Sequence, residues 1–282
     1  MIVTRFAPSP TGYLHLGHAF AALTAHDAAR RGVGRFLLRI EDIDRSRSRP
    51  EYEAAILQDL AWLGLAWEQP VLRQSERVAA YRSALDRLER AGLLYPCFCT
   101  RSDIARASEA PHGPEGPPYP GACRALRSIE RERRIRSGAP YALRLDVSKG
   151  AQHVGPLSFE EQGSGPDGER GIVAADPLAF GNIVLARKDT PASYHLAVVV
   201  DDAFQGVTLI TRGNDLFAAT HVQRLLQALL DLPEPAYAHH RLILDEHGRK
   251  FSKRDRAVTL QELRAHGATP ASIRAQFGPA GR

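Results

Sequence analysis

The stretch "IVTRFAPSPTGYLHLGH" (residues 2–18) sets the fold, because a short strand in it leads directly into a helix. The pattern "IVTRFA" (2–7) predicts a strand, which Pro8 and Pro10 end. A helix is predicted from about His18 to Arg31, with Gly32 as its stop. Such a junction directs the free amides of a helix N-terminus at one point, which is a natural site for a phosphate group.

Strands and helices alternate on both sides of a differently composed middle region. The predicted strands lie at 35–42, 207–213 and 241–244, and the predicted helices at 50–64, 75–92 and 216–232. Residues 194–206, "YHLAVVVDDAFQG", fit either a helix or a strand. This alternation is typical of an α/β fold with a parallel, doubly wound sheet.

The middle region begins near Tyr95. Its residues 110–123 are rich in Pro and Gly and predict a loop, while 139–190 predict short strands. We therefore expect a first half of an α/β domain at 1–95, an insertion at 96–190, a second half at 191–255, and a tail of two short helices at 256–282.

A strongly charged helix is predicted at 124–138 within this insertion. It is a candidate for contact with an RNA backbone, and a solvated surface helix is an equally good interpretation. Its arginines are Arg124, Arg127, Arg131, Arg133, Arg134 and Arg136.

Composition narrows the class of protein. The chain has 282 residues, 44% of them hydrophobic, and a net charge of +5, which allows a polyanionic partner without requiring one. The N-terminus lacks the apolar segment of a signal peptide, and no apolar run approaches the roughly 20 residues that span a bilayer. We expect a cytoplasmic monomer with no membrane partner, whose three cysteines are reduced or bind metal.

The tetrapeptide "HLGH" (15–18) follows the first strand. His15 and His18 are three residues apart, so both can face the same way in the first helical turn and hold the phosphates of a nucleoside triphosphate. Gly17 leaves room for a ring or a ribose. Taken alone, the tetrapeptide favours a simpler interpretation, two histidines that cap the helix.

The second unusual stretch is "KFSKR" (250–254). The chain has 37 basic residues but only four lysines, at 149, 188, 250 and 253. Lysine is a compact point charge on a flexible stem, whereas arginine is a planar fork. The pair Lys250 and Lys253 therefore predicts a site for a small negative group, with a solvated basic loop as the alternative.

Together, the early H-x-G-H and the late K-x-S-K resemble the "HIGH" and "KMSKS" signatures of class I aminoacyl-tRNA synthetases. Phe251 replaces the methionine and Arg254 the final serine, but the second lysine is kept. The resemblance implies a Rossmann-like nucleotide-binding fold and ATP with Mg²⁺. It implies catalytic roles for His15, His18 and Lys253, and ATP binding by His15, Gly17, His18, Lys250, Ser252 and Lys253.

Three segments further resemble glutamyl-tRNA synthetases: 5–18, "RIEDIDRSR" (39–47) and "VVVDDAFQGVTLITRG" (198–213). Glutamate carries two carboxylates and an ammonium group, which call for cationic donors and an acidic acceptor. Surface ion pairs are the commoner role for single charged residues, but the resemblance favours a binding pocket. The glutamate-binding set it implies is Arg5, Ala7, Ser9, Glu41, Tyr194 and Arg212.

The segments "CFC" (97–99) and "YPGAC" (119–123) suggest a metal site. A structural zinc needs four ligands, and Cys97, Cys99 and Cys123 supply three. His112 is the chemically conservative fourth ligand, and three buried free cysteines are the alternative. The C-x-C…Y-x-x-x-C arrangement resembles short glutamyl-tRNA synthetase paralogues, and this resemblance implies one structural zinc with Tyr119 as the fourth ligand.

Only 28 residues follow Arg254, so we expect no anticodon-binding domain. The chain resembles the glutamyl-queuosine tRNA(Asp) synthetases, a family implied to activate L-glutamate without tRNA and to esterify the queuosine of tRNA(Asp) at the wobble position. The alternatives are a catalytic fragment of a glutamyl-tRNA synthetase that charges a 3′ end, an inactive RNA-binding module, and another adenylating ligase for a small acid.

Overall fold

The computed structural model describes residues 1–100, 103, 119, 121–187, 190–243 and 258–277. In the first of these ranges, up to Arg90, strands and helices alternate, and two of the three strands and all three helices were predicted. The elements are β1 (Val3–Phe6), α1 (Leu16–Arg31), β2 (Arg35–Ile40), α2 (Pro50–Trp62), β3 (Glu68–Arg73) and α3 (Val78–Arg90).

Strands β1, β2 and β3 form a parallel sheet in that order. Helix α1 packs closely on this sheet because its buried face consists largely of alanines, including Ala19, Ala22, Ala25 and Ala29. Strand β3 was not predicted from the sequence. It contains Pro70 and lies at the edge of its sheet, where a missing backbone donor is tolerated.

The middle region holds a second, antiparallel sheet. Its elements are β4 (Leu94–Cys97), α4 (Ser128–Arg136), β5 (Ala142–Leu145), α5 (Val147–Val154), β6 (Ser158–Glu161), β7 (Gly171–Ala174) and β8 (Val184–Arg187). Strand β5 pairs with β4 on one side and β8 on the other. The expectation of strands alone was wrong here, because Asp146 caps the backbone N–H of Lys149 and starts α5.

The parallel architecture then resumes with α6 (Tyr194–Phe204), β9 (Leu209–Gly213), α7 (Phe217–Leu229) and β10 (Ala236–His240). The ambiguous segment at 194–206 is therefore a helix. The strand predicted at 241–244 is wrong for 241–243: the parallel pairing of β10 with β9 ends at His240 opposite Gly213.

Two contacts join the separate parts of the sheet. The backbone N–H of Thr208, just before β9, donates to the carbonyl of Val3 in β1 at 3.0 Å. On the other side, β10 pairs in parallel with β6, whose antiparallel partner is β7. The carboxyl ends of β1, β9 and β10 thus lie at one edge, where ligands bind in open α/β sheets.

The end of the described chain folds back onto the first half. Helices α8 (Leu260–Ala265) and α9 (Pro270–Ala275) place Leu260 and Ile273, both fully buried, in the same apolar cluster as Ile56 and Leu60 of α2. A second cluster joins α3, α6 and α7. Among the helices described, none combines the length and apolar character needed to cross a bilayer.

Candidate active site and metal centre

A cavity of about 540 Å³ opens at the carboxyl ends of β1 and β9. It brings together every described residue that the sequence predicted for ATP or glutamate: Arg5, Ala7, Ser9, His15, Gly17, His18, Glu41, Tyr194 and Arg212. Lys250, Ser252 and Lys253, with Phe251 and Arg254, lie outside the described residues. The cavity therefore unites segments that are up to about two hundred residues apart in sequence.

His15 and His18 cap the start of α1, as the tetrapeptide alone suggested. The Nδ1 atom of His15 accepts from the N–H of Gly17 at 3.1 Å, and that of His18 accepts from the N–H of His15 at 3.2 Å. An accepting Nδ1 leaves the ring hydrogen of a neutral imidazole on Nε2. Capping thus makes the Nε2 atom of each ring a donor, and both rings line the cavity.

Gly17 is needed for this arrangement. A Cβ atom at this position would lie 3.1 Å from Cε1 of the His15 ring, which is tighter than ordinary contact. The missing side chain gives room to the capping imidazole, so the glycine and the two histidines act as one local unit.

Arg5 and Glu41 belong to a buried network of four charges. Arg5 donates to both carboxylate oxygens of Asp202, at 3.0 and 3.3 Å, and Arg39 donates to Asp202 at 2.7 Å and to Glu41 at 3.2 Å. Burial alone would raise the pKa of Asp202, but the charges of Arg39 and Arg5 lower it. Asp202 thus stays ionised and already occupies the fork of Arg5.

Glu41 is differently placed. Burial raises the pKa of this carboxyl, against the opposing charges of Arg39 and Arg5. Because Glu41 also lines the cavity, a ligand cation beside it would offset the cost of its buried charge. This suits the ammonium group of an amino acid.

Arg212 lies on β9 and is only 5% exposed. Its guanidinium donates to Gln223 Oε1 at 2.7 Å, Thr220 Oγ1 at 2.5 Å and His239 Nε2 at 3.1 Å. All three acceptors are neutral in these bonds. In contrast to Arg5, Arg212 forms no ion pair within the described part of the chain, so its charge suits an anionic ligand in the cavity.

Several wall residues were not predicted from the sequence. They are Phe6, Phe20, Ala21, Thr211, Gly213, Asp215, Leu216, His240, Arg241, Leu242 and Ile243. Asp202 and His239, which hold the two arginines, were also missed. Asp202 had one detectable signal: Asp201 and Asp202 interrupt the apolar run "LAVVVDDAF", and acidic residues in a buried helix face usually have a cationic partner.

The chain on either side of residues 244–257 lies at this cavity. Leu242 and Ile243 form part of its wall. On return, Thr259 pairs with His15 as an isolated antiparallel bridge, and the N–H of Leu260 donates to the carbonyl of Leu14 at 2.8 Å. The described residues on both sides of 244–257 thus lie at the cavity, and Thr259 lies beside the capping residue His15.

The three cysteines converge at the end of β4. The sulfur atoms of Cys97, Cys99 and Cys123 lie within 4.8 Å of one another, and those of Cys99 and Cys123 are 3.4 Å apart. Thiolates that share a tetrahedral zinc at about 2.3 Å stand about 3.8 Å apart. The spacing fits a metal ion, and all three cysteines are free thiols.

Tyr119 stands beside this cluster. Its hydroxyl oxygen accepts from the backbone N–H of Cys123 at 2.7 Å, and the guanidinium of Arg144 lies 4.0 Å from the centre of its ring. Burial raises the pKa of the Tyr119 hydroxyl, and burial also raises that of the Cys99 thiol to about 12. His112, the other candidate fourth ligand, lies outside the described residues.

The charged helix predicted at 124–138 is α4, which spans only Ser128–Arg136, so Arg124 and Arg127 precede it. None of the residues of α4 is buried. Glu130 accepts from Arg133 and Arg134, while Arg131 donates to the carbonyl of Arg124 at 2.5 Å. The helix is thus exposed, with part of its positive charge balanced locally. Both the RNA-contact and the solvated-surface interpretations remain compatible with this arrangement.

Comparison with known proteins places this site in a family. Residues 1–278 match the model described as tRNA synthetases class I (E and Q), catalytic domain. The chain is 52% identical to a glutamyl-Q tRNA(Asp) synthetase of Rhodobacter capsulatus over 98% of this chain and 100% of that protein. It is 40% identical to a glutamate–tRNA ligase of Aquifex aeolicus, over 96% of this chain and 55% of that protein.

Among solved structures, a glutamate tRNA ligase from Elizabethkingia meningosepticum, in complex with its amino acid, superposes with a TM-score of 0.73. It is 27% identical, and the match covers 90% of this chain and 52% of the ligase. The resemblance predicted from the sequence is thus confirmed. The chain belongs to the class I tRNA synthetase family defined by the catalytic domain of the E and Q enzymes.

Proposed function

We propose that the chain is a ligase that activates L-glutamate with ATP, without tRNA, and transfers it to the queuosine at the wobble position of tRNA(Asp). The observation that carries this proposal is the single cavity that joins the capping histidines of α1 to Arg212 and Glu41. The Rhodobacter capsulatus relative, named a glutamyl-Q tRNA(Asp) synthetase, supports the acceptor because the alignment spans its whole length.

ATP would bind at the start of α1. The Nε2–H groups of His15 and His18 and the N-terminal amides of the helix supply donors for phosphate oxygens. Lys253 is proposed to meet the charge that develops on the transferring phosphate, with Lys250 and Ser252 as further ATP contacts. Mg²⁺ bound with ATP would neutralise phosphate charge, as in phosphoryl transfer generally.

Glutamate would bind at the other end of the cavity. Arg212 is proposed to pair with one carboxylate, since its charge has no carboxylate partner among the described residues. Glu41 would accept from the ammonium group. Tyr194, whose side chain is partly exposed at the cavity wall, would donate from its hydroxyl.

Ala7 and Ser9 would contact glutamate from the segment after β1, and both line the cavity. Arg5 would contribute positive charge, although Asp202 holds its fork. The solved ligase that contains its amino acid supports an amino-acid site in this fold. Arg5 therefore acts in this account mainly as a fixed charge in the wall.

The first reaction step forms an acyl-adenylate. A carboxylate oxygen of glutamate attacks the α-phosphorus of ATP, and the bond to the leaving pyrophosphate breaks. The groups proposed here, His15, His18 and Lys253, act by positioning and charge stabilisation, which dominate catalysis of such transfers.

The second step transfers the acyl group. A hydroxyl oxygen of the queuosine cyclopentene diol attacks the acyl carbon, the bond from that carbon to the phosphate oxygen of AMP breaks, and the hydroxyl proton is released to solvent. This diol is chemically similar to a terminal ribose diol, so an ester-forming site could accept either. An unpaired anticodon loop allows its bases to be splayed out into a pocket.

We also propose one structural zinc in the middle region, held by Cys97, Cys99, Tyr119 and Cys123. The convergence of three sulfurs and a phenol oxygen supports this set. Four protein ligands would leave no open position, so the metal would stabilise the fold and take no part in the reaction.

The division of the chain stays a proposal as well: a catalytic domain from 1–95 and 191–255, an insertion at 96–190, and a tail at 256–282. The hairpin β6–β7 lies in the insertion by sequence but pairs with β10 of the catalytic sheet. We propose that this unit acts as a cytoplasmic monomer.

The test is ATP–pyrophosphate exchange with purified protein in the absence of RNA. Exchange that depends on L-glutamate and is not supported by other amino acids is the expected result. Exchange only when tRNA is added, or with another acid as the preferred substrate, would contradict the proposed activation.

A further inference from the structure

The way Arg212 is held is unusual for a buried cation. Its three hydrogen-bond acceptors are an amide oxygen, a hydroxyl and an imidazole nitrogen, and no described carboxylate pairs with it directly. A buried charge is costly unless groups nearby compensate it. The compensating negative charge lies on the far side of His239 from Arg212.

Behind the imidazole of His239 lies the carboxylate of Glu161. The distance from His239 Nδ1 to Glu161 Oε2 is 2.5 Å, and both side chains are fully buried. The other carboxylate oxygen accepts from the backbone N–H groups of His239 and Gly163, at 2.9 and 2.8 Å. Glu161 is therefore fixed by three donors.

These contacts assign the imidazole tautomer. An arginine side chain can only donate, so the Nε2 atom that accepts from Arg212 carries no hydrogen. The ring hydrogen then lies on Nδ1 and is donated to Glu161. Burial lowers the pKa of His239, which favours this neutral ring, while hydrogen bonds from His239 and Gly163 outweigh burial and lower the pKa of Glu161.

We propose that Glu161 and His239 are positioning residues for the glutamate subsite. The neutral imidazole holds Arg212 in place and separates it from Glu161, so the guanidinium is oriented without a direct ion pair. Its charge then remains for a substrate carboxylate. The inference rests on the proposed function, in which Arg212 binds glutamate.

The contrast with Arg5 supports this reasoning. The fork of Arg5 is occupied by both oxygens of Asp202, whereas that of Arg212 is contacted only by neutral groups. Arg5 and Arg212 line the same cavity, but Arg5 forms a direct ion pair and, in the described part of the chain, Arg212 does not. Of these two arginines, Arg212 is the one whose charge has no direct carboxylate partner among the described residues.

The inference also gives the hairpin β6–β7 a role. Glu161 ends β6 and lies opposite Tyr237 of β10, next to His239. Gly163 permits the approach, because a Cβ atom there would lie 2.2 Å from the carbonyl oxygen of His239. A hairpin from the middle region thereby reaches the amino-acid end of the cavity.

The sharpest test is Glu161→Gln, which keeps the shape and removes one acceptor. If the new amide oxygen accepts from His239 Nδ1, the amide NH2 faces the backbone N–H groups of His239 and Gly163. If the NH2 faces His239 instead, it either meets the hydrogen on Nδ1 or forces that hydrogen onto Nε2, where it faces Arg212. Every arrangement thus places one donor against another. We expect the KM for glutamate in ATP–pyrophosphate exchange to rise by about tenfold or more, with kcat and the KM for ATP unchanged.

The matched control is Glu160→Gln, on the same strand and with the same change in charge. Glu160 is exposed and contacts Gln162 at the surface, so the Glu160→Gln variant should have the same KM for glutamate as the parent. A parent without glutamate-dependent exchange overturns the proposed function. If the parent is active and Glu161→Gln and Glu160→Gln have the same KM for glutamate, the positioning role is wrong.

A second pair of variants decides the matter even if Glu161→Gln fails to fold. His239→Gln can still accept from Arg212 and donate to Glu161, whereas His239→Leu can do neither. We expect the first to retain a KM for glutamate close to that of the parent and the second to raise it by about tenfold or more. Equal values for the two would contradict the inference.

Discussion

At the scale of single residues, the capping histidines combine an observed role, capping, with a proposed one, phosphate binding, in the same rings. Their Nδ1 atoms satisfy backbone donors of α1, and this fixes the hydrogen on Nε2, where a phosphate oxygen can accept it. A capping residue with a different side chain would preserve the helix and lose the second function. The two roles are therefore separable by experiment.

We predict that His15→Asn leaves stability nearly unchanged but lowers glutamate activation by about 100-fold, because asparagine caps helices well and has no imidazole donor. His15→Ala should lose activation and, in addition, about 1 kcal/mol of the free energy of unfolding. Urea denaturation and ATP–pyrophosphate exchange measure the two effects. Full activity in His15→Asn would mean that this histidine only caps the helix.

Arg212 gives the second prediction at this scale. Arg212→Lys keeps the charge but loses the fork that bonds Gln223, Thr220 and His239, so the KM for glutamate should rise by about tenfold or more. Arg35→Lys is the control, since Arg35 forms an exposed ion pair with Glu68. Steady-state exchange kinetics with varied glutamate would contradict the assignment if both variants matched the parent.

The sequence predicted the residues that line the cavity better than it predicted the residues that hold them in place. His15, Gly17 and His18 lie close in sequence, and the family resemblance supplied Arg5, Glu41, Tyr194 and Arg212. Glu161 and His239 are 78 residues apart, and their contact arises only when β6 pairs with β10. No local period or spacing encodes such a pair.

At the scale of elements, the strongest sequence periodicities predicted strands and helices correctly. Short elements and edge strands were not predicted. Strand β3 contains Pro70, and α5 has only eight residues. The segment at 194–206 remained ambiguous because β-branched residues and helical spacing coincide there. In the structure the segment is a helix that is buried nearly all round, and Leu196, Ala197, Val198 and Val199 pack in the same apolar cluster as α3 and α7.

The metal site is tested at this scale because β4 and the segment at 119–123 must come together to form it. We predict about one zinc per chain, lost in Cys123→Ser and reduced in Tyr119→Phe. Tyr141→Phe is the control, an exposed tyrosine whose ring is tilted against that of Phe98, with 5.8 Å between the ring centres. Metal analysis after dialysis decides: full zinc in Tyr119→Phe, with loss in His112→Ala, would make His112 the fourth ligand.

Packing of α8 against α2 yields a prediction about pH. Asp59 is fully buried, neither of its oxygens has a hydrogen-bond partner among the described residues, and Arg264 of α8 lies 3.9 Å away. Burial raises the pKa of Asp59 to about 6, and the charge of Arg264 opposes this only in part. Between about pH 4 and 6, the folded state therefore keeps a proton that the unfolded state releases.

The contribution of Asp59 to the free energy of unfolding should consequently fall as pH rises from about 4 to 6, by on the order of 2–3 kcal/mol, and level off above that. Asp59→Asn should remove this component, so its stability relative to the parent should increase with pH. Asp86→Asn, which alters an exposed ion pair with Arg82, is the control. Urea unfolding at several pH values would contradict the account if the Asp59→Asn difference stayed constant.

At the scale of the whole molecule, one sheet edge collects groups from both halves of the chain and from the hairpin between them. β1 and α1 bring the end proposed for the nucleotide, β9 brings Arg212, and β6 and β10 bring Glu161 and His239, which hold Arg212. The predicted fold class was sufficient to place the first two. The contribution of the hairpin required the structure, because its sequence lies within the expected insertion.

The central claim concerns the acceptor of the activated glutamate. The direct measurement uses tRNA(Asp) from which the 3′-terminal adenosine has been removed, with either queuosine or guanosine at the wobble position, and radiolabelled glutamate. We predict labelling of the truncated tRNA that carries queuosine and none of its guanosine counterpart. Labelling that requires an intact 3′ end, or that favours tRNA(Glu), would contradict the account and identify a ligase that charges the 3′ end.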